Sequence, residues 1–186
     1  IRDSTTPKTA YFIGIGGISM SAFAELLQSL GFTIKGSDRT KSKITKHLED
    51  LGIEIVYEQN SKNITSDLDF VVYTAAISES NPEFKRAKEL GIPMMTRASM
   101  IGQIMKNYTT AVAVAGTHGK TSTTSIASHI MLEADMDPTI SVGGIIPAIG
   151  GNLRIGKSKN FITEACEYTN SFLHFFPTIG IILNIE

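Results

Sequence analysis

Short apolar segments alternate with amphipathic stretches along almost the whole chain. Residues 11–15 form an apolar run that ends in glycines, and Phe23, Leu26, Leu27 and Leu30 then recur at helical spacing. The same unit repeats, and the predicted strands are 11–15, 32–36, 53–57, 70–74, 92–96, 111–115, 139–142, 161–163 and 179–183. Repeated strand–turn–helix units predict an α/β fold with right-handed crossovers.

The pattern restarts in the middle of the chain. Residues 111–115 are apolar without alternation, which is typical of a strand that is covered on both faces in a parallel sheet. A complete five-strand unit precedes this strand, and a new glycine loop follows it. We therefore predict two domains, 1–107 and 108–186.

Charge and composition exclude several classes of protein. Lys and Arg number 17 and Asp and Glu number 18, so the chain has no basic field for nucleic acid or an anionic membrane. No apolar run approaches the roughly 18–20 residues of a membrane helix. One cysteine, Cys166, permits no internal disulfide, which indicates a cytoplasmic protein.

The first glycine loop joins the first predicted strand to its helix and reads Gly14-Ile15-Gly16-Gly17-Ile18-Ser19-Met20. Such a loop lets the backbone approach a phosphate at the N-terminus of a helix. The dinucleotide fingerprint would need a third glycine where Ser19 stands, although its acidic residue is present as Asp38. The loop predicts a nucleotide diphosphate site, and an NAD site or a turn without a ligand stays open.

The second glycine loop follows the buried strand 111–115 and reads Ala115-Gly116-Thr117-His118-Gly119-Lys120-Thr121-Ser122-Thr123-Thr124. Its context is that of a P-loop, with two residues rather than four before the Gly-Lys pair. In such a loop the backbone surrounds the phosphates, Lys120 neutralises the γ-phosphate and the Thr121 hydroxyl can bind Mg²⁺. A Gly-Lys-Thr turn that arose by chance is the alternative.

The second loop resembles the ATP loop of the Mur ligases, which build the peptide stem of bacterial cell-wall precursors. Other blocks that resemble this family follow in order along the chain: 14–20, Gly36-Ser37-Asp38, 74–78 with Asn81-Pro82, Gly143-Gly144, 164–167, 171–174 and 184–186. The resemblance implies a Rossmann-like parallel-sheet domain followed by the start of a P-loop-type ATP-binding domain. Gly16-Gly17 favours the member that adds alanine over the one that recycles a tripeptide, which typically has cysteine in this loop.

The resemblance implies that the first domain binds the UDP part of UDP-N-acetylmuramate. The residues that it assigns to this substrate are Gly16, Gly17, Ile18, Ser19, Met20, Ser37, Asp38, Thr74, Ala75 and Ser78. L-alanine would be the other substrate, with no nucleic acid or membrane partner, and the oligomeric state stays open.

The resemblance also implies ATP and Mg²⁺ at the second loop. The assigned ATP-binding residues are Gly116, Thr117, His118, Gly119, Lys120, Thr121 and Ser122, with Lys120 catalytic. Thr121 and Glu167 would hold the metal, and Glu164 would support them, although Cys166 stands where many members carry Asp. The substrate carboxylate would attack the γ-phosphate, and the amine of L-alanine would then displace phosphate from the acyl phosphate.

Two other readings of the sequence stay open. An NAD(P)-binding oxidoreductase would account for residues 14–38 but leaves the second loop unexplained. A nucleotide-binding module without catalysis would keep both loops. Because family members continue beyond the Asn-Ile-Glu at 184–186, we expect the 186-residue chain alone to be inactive as a ligase.

Overall fold

A computed structural model describes residues 8–74, 76–166 and 168–185. It divides the chain into two compact units, with the division between Arg97 and Ala98. The sequence-based boundary at 107/108 lies after the helix that begins at this division. The strands are β1 (Thr9–Ile13), β2 (Thr33–Ser37), β3 (Glu54–Val56), β4 (Phe70–Tyr73), β5 (Met94–Thr96), β6 (Thr110–Ala115), β7 (Thr139–Ile146), β8 (Gly151–Arg154), β9 (Asn160–Ala165) and β10 (Ile179–Ile182). The α-helices are α1 (Ile18–Ser29), α2 (Lys43–Asp50), α3 (Pro82–Glu89), α4 (Arg97–Met105) and α5 (Lys120–Glu133), and 3₁₀ turns lie at Ser61–Asn63, Pro147–Ile149 and Tyr168–His174.

The first unit is built on a parallel five-stranded sheet in the order β3-β2-β1-β4-β5. The central strand β1 is buried continuously from Ala10 to Ile13, as expected for a strand covered on both faces. On one face Tyr11, Ile13 and Val71 pack with Phe84 of α3. The predicted α/β fold and all five predicted strands of this unit are confirmed.

Side-chain caps fix where two helices of this unit begin. Asn81 accepts hydrogen bonds from the backbone N–H groups of Glu83 (2.9 Å) and Phe84 (3.1 Å), and Pro82 is the first helical residue of α3. Ser42 and Thr45 form a reciprocal capping box at α2. The predicted helix start at Asn81-Pro82 is therefore confirmed.

The second unit contains a sheet in the order β10-β6-β9-β7-β8. All neighbouring strands are parallel except β7 and β8, which are antiparallel. The sequence analysis did not predict β8, because Gly-Asn-Leu-Arg carries no apolar alternation. β7 continues past Gly143 and Gly144, where the sequence favoured a strand end at 142.

The predicted helix after the second glycine loop is α5, but its buried face differs from its apolar residues. Thr124, Ser128 and Met131 are buried, whereas Ile126 and Ile130 are 62% and 65% exposed. The apolar spacing therefore locates this helix without identifying the side that meets the sheet.

In the first unit the sheet order creates a crevice at the carboxyl ends of its strands. The chain runs from β1 outward to β2 and β3, then returns to the other side of β1 with β4 and β5. In such a sheet, ligands bind where the order reverses, here between β1 and β4. The glycine loop after β1 and Thr74 after β4 flank this point.

Candidate functional site

The first glycine loop is held by the end of strand β2. The backbone N–H groups of Gly14 and Ile15 both donate to the carbonyl oxygen of Ser37, at 2.8 and 2.9 Å. Gly14 has φ +82°, a conformation that strongly favours glycine. The loop therefore turns sharply at Gly14 while β2 fixes its position.

The carboxylate of Asp38 holds the next part of the same loop. Its Oδ2 accepts the N–H of Gly16 at 2.9 Å, and its Oδ1 accepts the N–H of Thr40 at 3.1 Å. A Cβ on Gly16 would lie 2.8 Å from Asp38 Oδ2 and 2.8 Å from Thr45 Cγ2, so a larger residue would have to displace these two side chains. Each carboxylate oxygen accepts one backbone hydrogen bond, so Asp38 joins the loop at Gly16 to the segment at Thr40.

The helix that follows this loop begins with a concentration of positive charge. Gly17 is the N-cap of α1 and has no side chain to occupy the helix end, and the first turn contains no acidic residue. The guanidinium of Arg97 donates to the hydroxyl of Ser19 at 3.3 Å. A cation beside the positive end of a helix dipole favours an anion such as a phosphate. The sequence analysis did not select Arg97, because nothing in the chain order places it near Ser19.

The remaining residues expected at the UDP substrate lie in different environments. Ile18 and Ser78 are exposed, and Thr74 is half-buried after β4. Met20 is buried in the core and Ser37 is fully buried, so neither residue faces the solvent in this structure. Ala75 lies outside the described residues.

A buried carboxylate explains why the Ser37 side chain faces inward. The hydroxyl of Ser37 donates to Glu83 Oε2 at 2.6 Å, and the hydroxyl of Tyr11 donates to Oε1 at 2.8 Å. Burial raises the pKa of Tyr11 well above its ordinary value, and the Glu83 carboxylate raises it further. The expected substrate residue Ser37 is thus part of a buried hydrogen-bond network.

The second glycine loop turns at two glycines with positive φ. Gly116 has φ +145° and Gly119, the N-cap of α5, has φ +86°, so both use conformations that L side chains rarely adopt. The Lys120 ammonium donates back to the carbonyl oxygens of Gly116 and Thr117. Residues 117–122 line a concavity of about 200 Å³ at the start of the helix. A lysine that rests on the loop carbonyls lies where it can meet phosphate oxygens instead.

Asn184, at the end of β10, holds this loop from the neighbouring strand. Its Oδ1 accepts the backbone N–H groups of Thr117 at 2.8 Å and His118 at 3.1 Å, and its Nδ2 donates to the His118 carbonyl at 3.1 Å. The sequence analysis quoted Asn184 in a block of family resemblance but gave it no role. Only the β10–β6 pairing brings the two segments together.

An acidic residue lies near the proposed metal ligand Thr121. The Thr121 side chain is exposed in the first turn of α5, and a Cβ on Gly144 would lie 3.2 Å from its Cγ2. The adjacent Gly143 N–H donates to Glu164 Oε1 at 3.0 Å. Glu167 lies outside the described residues. Within 8–74, 76–166 and 168–185, no group of three or more His, Cys, Asp or Glu side chains forms a metal cluster.

Comparison with known proteins identifies the family. The sequence profile described as "Mur ligase family, catalytic domain" matches residues 9–109, more than half of the chain. The protein therefore belongs to the Mur ligase family. A curated protein of Agathobacter rectalis named UDP-N-acetylmuramate–L-alanine ligase is 62% identical over 99% of this chain, and one of the same name from Acetivibrio thermocellus is 55% identical over the whole chain. The chain spans about 40% of the length of these curated relatives.

Solved structures support the same fold. UDP-N-acetylmuramate-alanine ligase from Thermotoga maritima matches with a TM-score of 0.82 at 34% identity, over 94% of this chain and 40% of that one. A ligase from Neisseria meningitides that acts with L-alanyl-gamma-D-glutamyl-meso-diaminopimelate matches with a TM-score of 0.85 at 23% identity, over 97% of this chain and 62% of that one, which shows the fold alone. None of the helices in the described part of the chain combines the length and hydrophobicity of a membrane span.

Proposed function

We propose that this chain supplies the substrate-binding and ATP-loop parts of an ATP-dependent ligase that joins L-alanine to UDP-N-acetylmuramate. The observation that carries the proposal is the pair of glycine loops, one in each unit, each following a buried parallel strand and opening a helix. One nucleotide-type loop would suit many enzymes, but two suit a reaction that uses a UDP-linked substrate and ATP together. Curated relatives that bear this ligase name support the choice of substrates.

In the first unit, the UDP diphosphate would lie on the loop 14–17 and the first turn of α1. The helix dipole and the Arg97 guanidinium would offset its charge, since both lie at Ser19. Asp38 would hold the loop in shape through Gly16, and Thr74, Ala75 and Ser78 would border the uridine across the crevice. Met20 and Ser37, which are both buried, would support this site from inside the unit.

In the second unit, the ATP phosphates would lie on residues 116–122. The Lys120 ammonium would exchange its loop carbonyls for γ-phosphate oxygens, which would place its charge where negative charge develops. Asn184 would keep the backbone of Thr117 and His118 in the shape that the phosphates require.

The residues at this loop fit a magnesium ion. The exposed Thr121 hydroxyl, the Glu164 carboxylate near Gly143 and the proposed ligand Glu167 supply oxygen atoms, which Mg²⁺ prefers. When bound, the ion would neutralise charge on the phosphate oxygens. Glu164 already accepts the Gly143 N–H, which suits it to support the ligands rather than to replace them.

The reaction that we propose proceeds in two transfers. The muramate carboxylate attacks the γ-phosphorus of ATP, forming an acyl phosphate and releasing ADP. The amine of L-alanine then attacks the acyl carbon, forms the amide and releases phosphate and a proton. Both nucleophiles in this reaction come from the substrates. The chain would therefore contribute by positioning the substrates and by stabilising charge. A cytoplasmic location remains part of the proposal.

The test separates the two proposed sites by one substitution. In the complete gene product, Lys120→Ala should lower ATP-dependent ligation on the order of 10²–10³-fold. Binding of UDP-N-acetylmuramate should change little, because Lys120 and the first glycine loop lie in different units. Lys159→Ala removes an exposed lysine from the same unit and serves as the charge control. If Lys120→Ala lowered ligation and UDP-N-acetylmuramate binding to the same extent, the assignment of two separate sites would be contradicted.

A further inference from the structure

The carboxylate of Glu83 is fully buried and is connected to the first glycine loop through Ser37. Glu83 accepts three side-chain hydrogen bonds: from Tyr11 at 2.8 Å, from Ser37 at 2.6 Å and from the amide of Asn63 at 2.7 Å. Its donors come from β1, the end of β2 and the segment between β3 and β4. Four parts of the first unit therefore meet at one side chain.

The surroundings of Glu83 suit an ionised carboxylate. All three partners are donors, and an ionised carboxylate is acceptor-only. Glu83 lies in the first turn of α3, where the helix dipole stabilises negative charge, and the Asn81 cap fixes that turn by accepting its backbone N–H. Among the described residues no basic side chain forms a salt bridge with it. Loss of a partner would leave a buried polar group unsatisfied, which is costly.

Ser37 connects this carboxylate to the loop. Its side chain donates to Glu83, while its backbone carbonyl accepts the N–H groups of Gly14 and Ile15. A shift of Ser37 would therefore move the turn that begins the loop. Tyr11 holds Glu83 from β1, the strand that leads into the same turn.

We propose that Glu83 is a positioning residue for the UDP substrate, because it fixes Ser37 and through it the loop 14–17. This inference rests on the proposed function of that loop. Glu83 does not touch the substrate in this account. Its effect is to hold the loop N–H groups in the arrangement that a diphosphate requires, so that binding costs less ordering.

The first test measures the loop without a ligand. In Glu83→Gln the side chain keeps its size but loses its charge and one acceptor oxygen, and we expect faster hydrogen exchange at the amides of Gly14 and Ile15. Glu89→Gln, on the exposed end of the same helix, is the matched control and should leave both amides unchanged. Unchanged exchange at Gly14 and Ile15 in a folded Glu83→Gln protein would overturn the proposal.

The second test measures substrate affinity in the complete gene product. Glu83→Gln should raise the Kd and KM for UDP-N-acetylmuramate roughly tenfold while the KM for ATP and kcat stay nearly unchanged. Ser37→Ala removes only the hydrogen bond from the Ser37 hydroxyl to Glu83 and should give a smaller change in the same direction, so it serves if Glu83→Gln folds poorly. The two effects should be non-additive, because they break one connection.

The outcomes distinguish the inference from the proposed function. A general loss of stability with no selective change in UDP-substrate affinity would reduce Glu83 to a structural role and overturn the inference. If the wild-type protein bound no UDP-N-acetylmuramate, the proposed function would fall, while the exchange of Gly14 and Ile15 would still decide whether Glu83 holds the loop.

Discussion

The side-chain oxygen of Asn184 accepts the backbone N–H of Thr117 at 2.8 Å, across 67 residues of sequence. The same oxygen accepts the N–H of His118, so one amide group fixes the direction of two peptide units in the second glycine loop. The parallel pairing of β10 with β6 brings these residues together. The shape of the loop thus depends on a strand far from it in sequence.

Replacing Asn184 by alanine should weaken ATP binding without changing the affinity for the UDP substrate. The loss of two accepted hydrogen bonds and one donated bond should cost roughly tenfold in the Kd for ATP. Titration of both ligands against the same preparation measures this. Asn160→Ala, which removes an amide bonded to the Met136 carbonyl in the same unit, is the control. An unchanged Kd for ATP in Asn184→Ala would show that the loop keeps its shape unaided.

Alanine substitutions at two neighbouring glycines distinguish the effect of a close contact within the protein from the effect of a lost contact with the ligand. A methyl group on Gly16 would lie 2.8 Å from both Asp38 Oδ2 and Thr45 Cγ2, whereas one on Gly17 would come no closer than 3.6 Å to the Gly14 carbonyl. We therefore expect Gly16→Ala to lower the melting temperature and the UDP-substrate affinity together. Gly17→Ala meets no such close contact and should lower the melting temperature less than Gly16→Ala, so a selective loss of UDP-substrate affinity there reports contact with the ligand itself. Equal melting temperatures for wild type and Gly16→Ala would contradict the close packing of Asp38.

A carboxylate in the second unit should make stability depend on acidic pH. The backbone N–H of Lys157 and the Arg154 guanidinium hold the pKa of Asp137 below its ordinary value, with hydrogen bonds of 2.7 and 2.6 Å. A lowered folded-state pKa stabilises the protein above the unfolded pKa of about 4, and this contribution is lost as the pH falls through the folded value.

The matching variant is Asp137→Asn, because asparagine tolerates the φ of +44° found at this position. It should melt at a lower temperature than the wild type at pH 7, and the difference should shrink as the pH falls below about 4. Thermal unfolding between pH 7 and pH 2 measures this. A difference that stays constant over that range would mean that the charge of Asp137 does not contribute.

Strand β10 should be less protected than the centre of the first sheet. Within the described residues it pairs with β6 alone, and Ile179 and Ile182 are 49% and 68% exposed. We expect the amides of residues 179–183 to exchange faster than those of residues 11–15, since a strand at a sheet edge opens more readily. Comparable protection of the two segments in one hydrogen-exchange experiment would contradict this expectation.

The pattern of the sequence predicts the fold because parallel strands and amphipathic helices leave strong local signals. The two glycine loops are likewise visible in the sequence, since a tight turn before a helix needs residues such as Gly14 and Gly119. The short strand β8 escapes prediction because it lacks alternation. Ile126 and Ile130 show the opposite error, in which apolar spacing does not coincide with burial.

The residues that hold the loops could not be predicted, because they act from distant parts of the chain. Arg97 reaches Ser19 across 78 residues, and Glu83 reaches Ser37 across 46. Neither lies in a loop motif, and each depends on strand order for its neighbours. Asn184 belonged to a recognised block, yet only the sheet pairing reveals what its side chain does.

We propose above all that the first glycine loop binds a UDP-sugar rather than a dinucleotide. A calorimetric titration of the chain with UDP-N-acetylmuramate, run beside NADH and ATP with Mg²⁺, tests it most directly. We predict saturable binding of UDP-N-acetylmuramate and no binding of NADH. If NADH bound and UDP-N-acetylmuramate did not, the proposal would be contradicted and the loop would be a dinucleotide-binding loop.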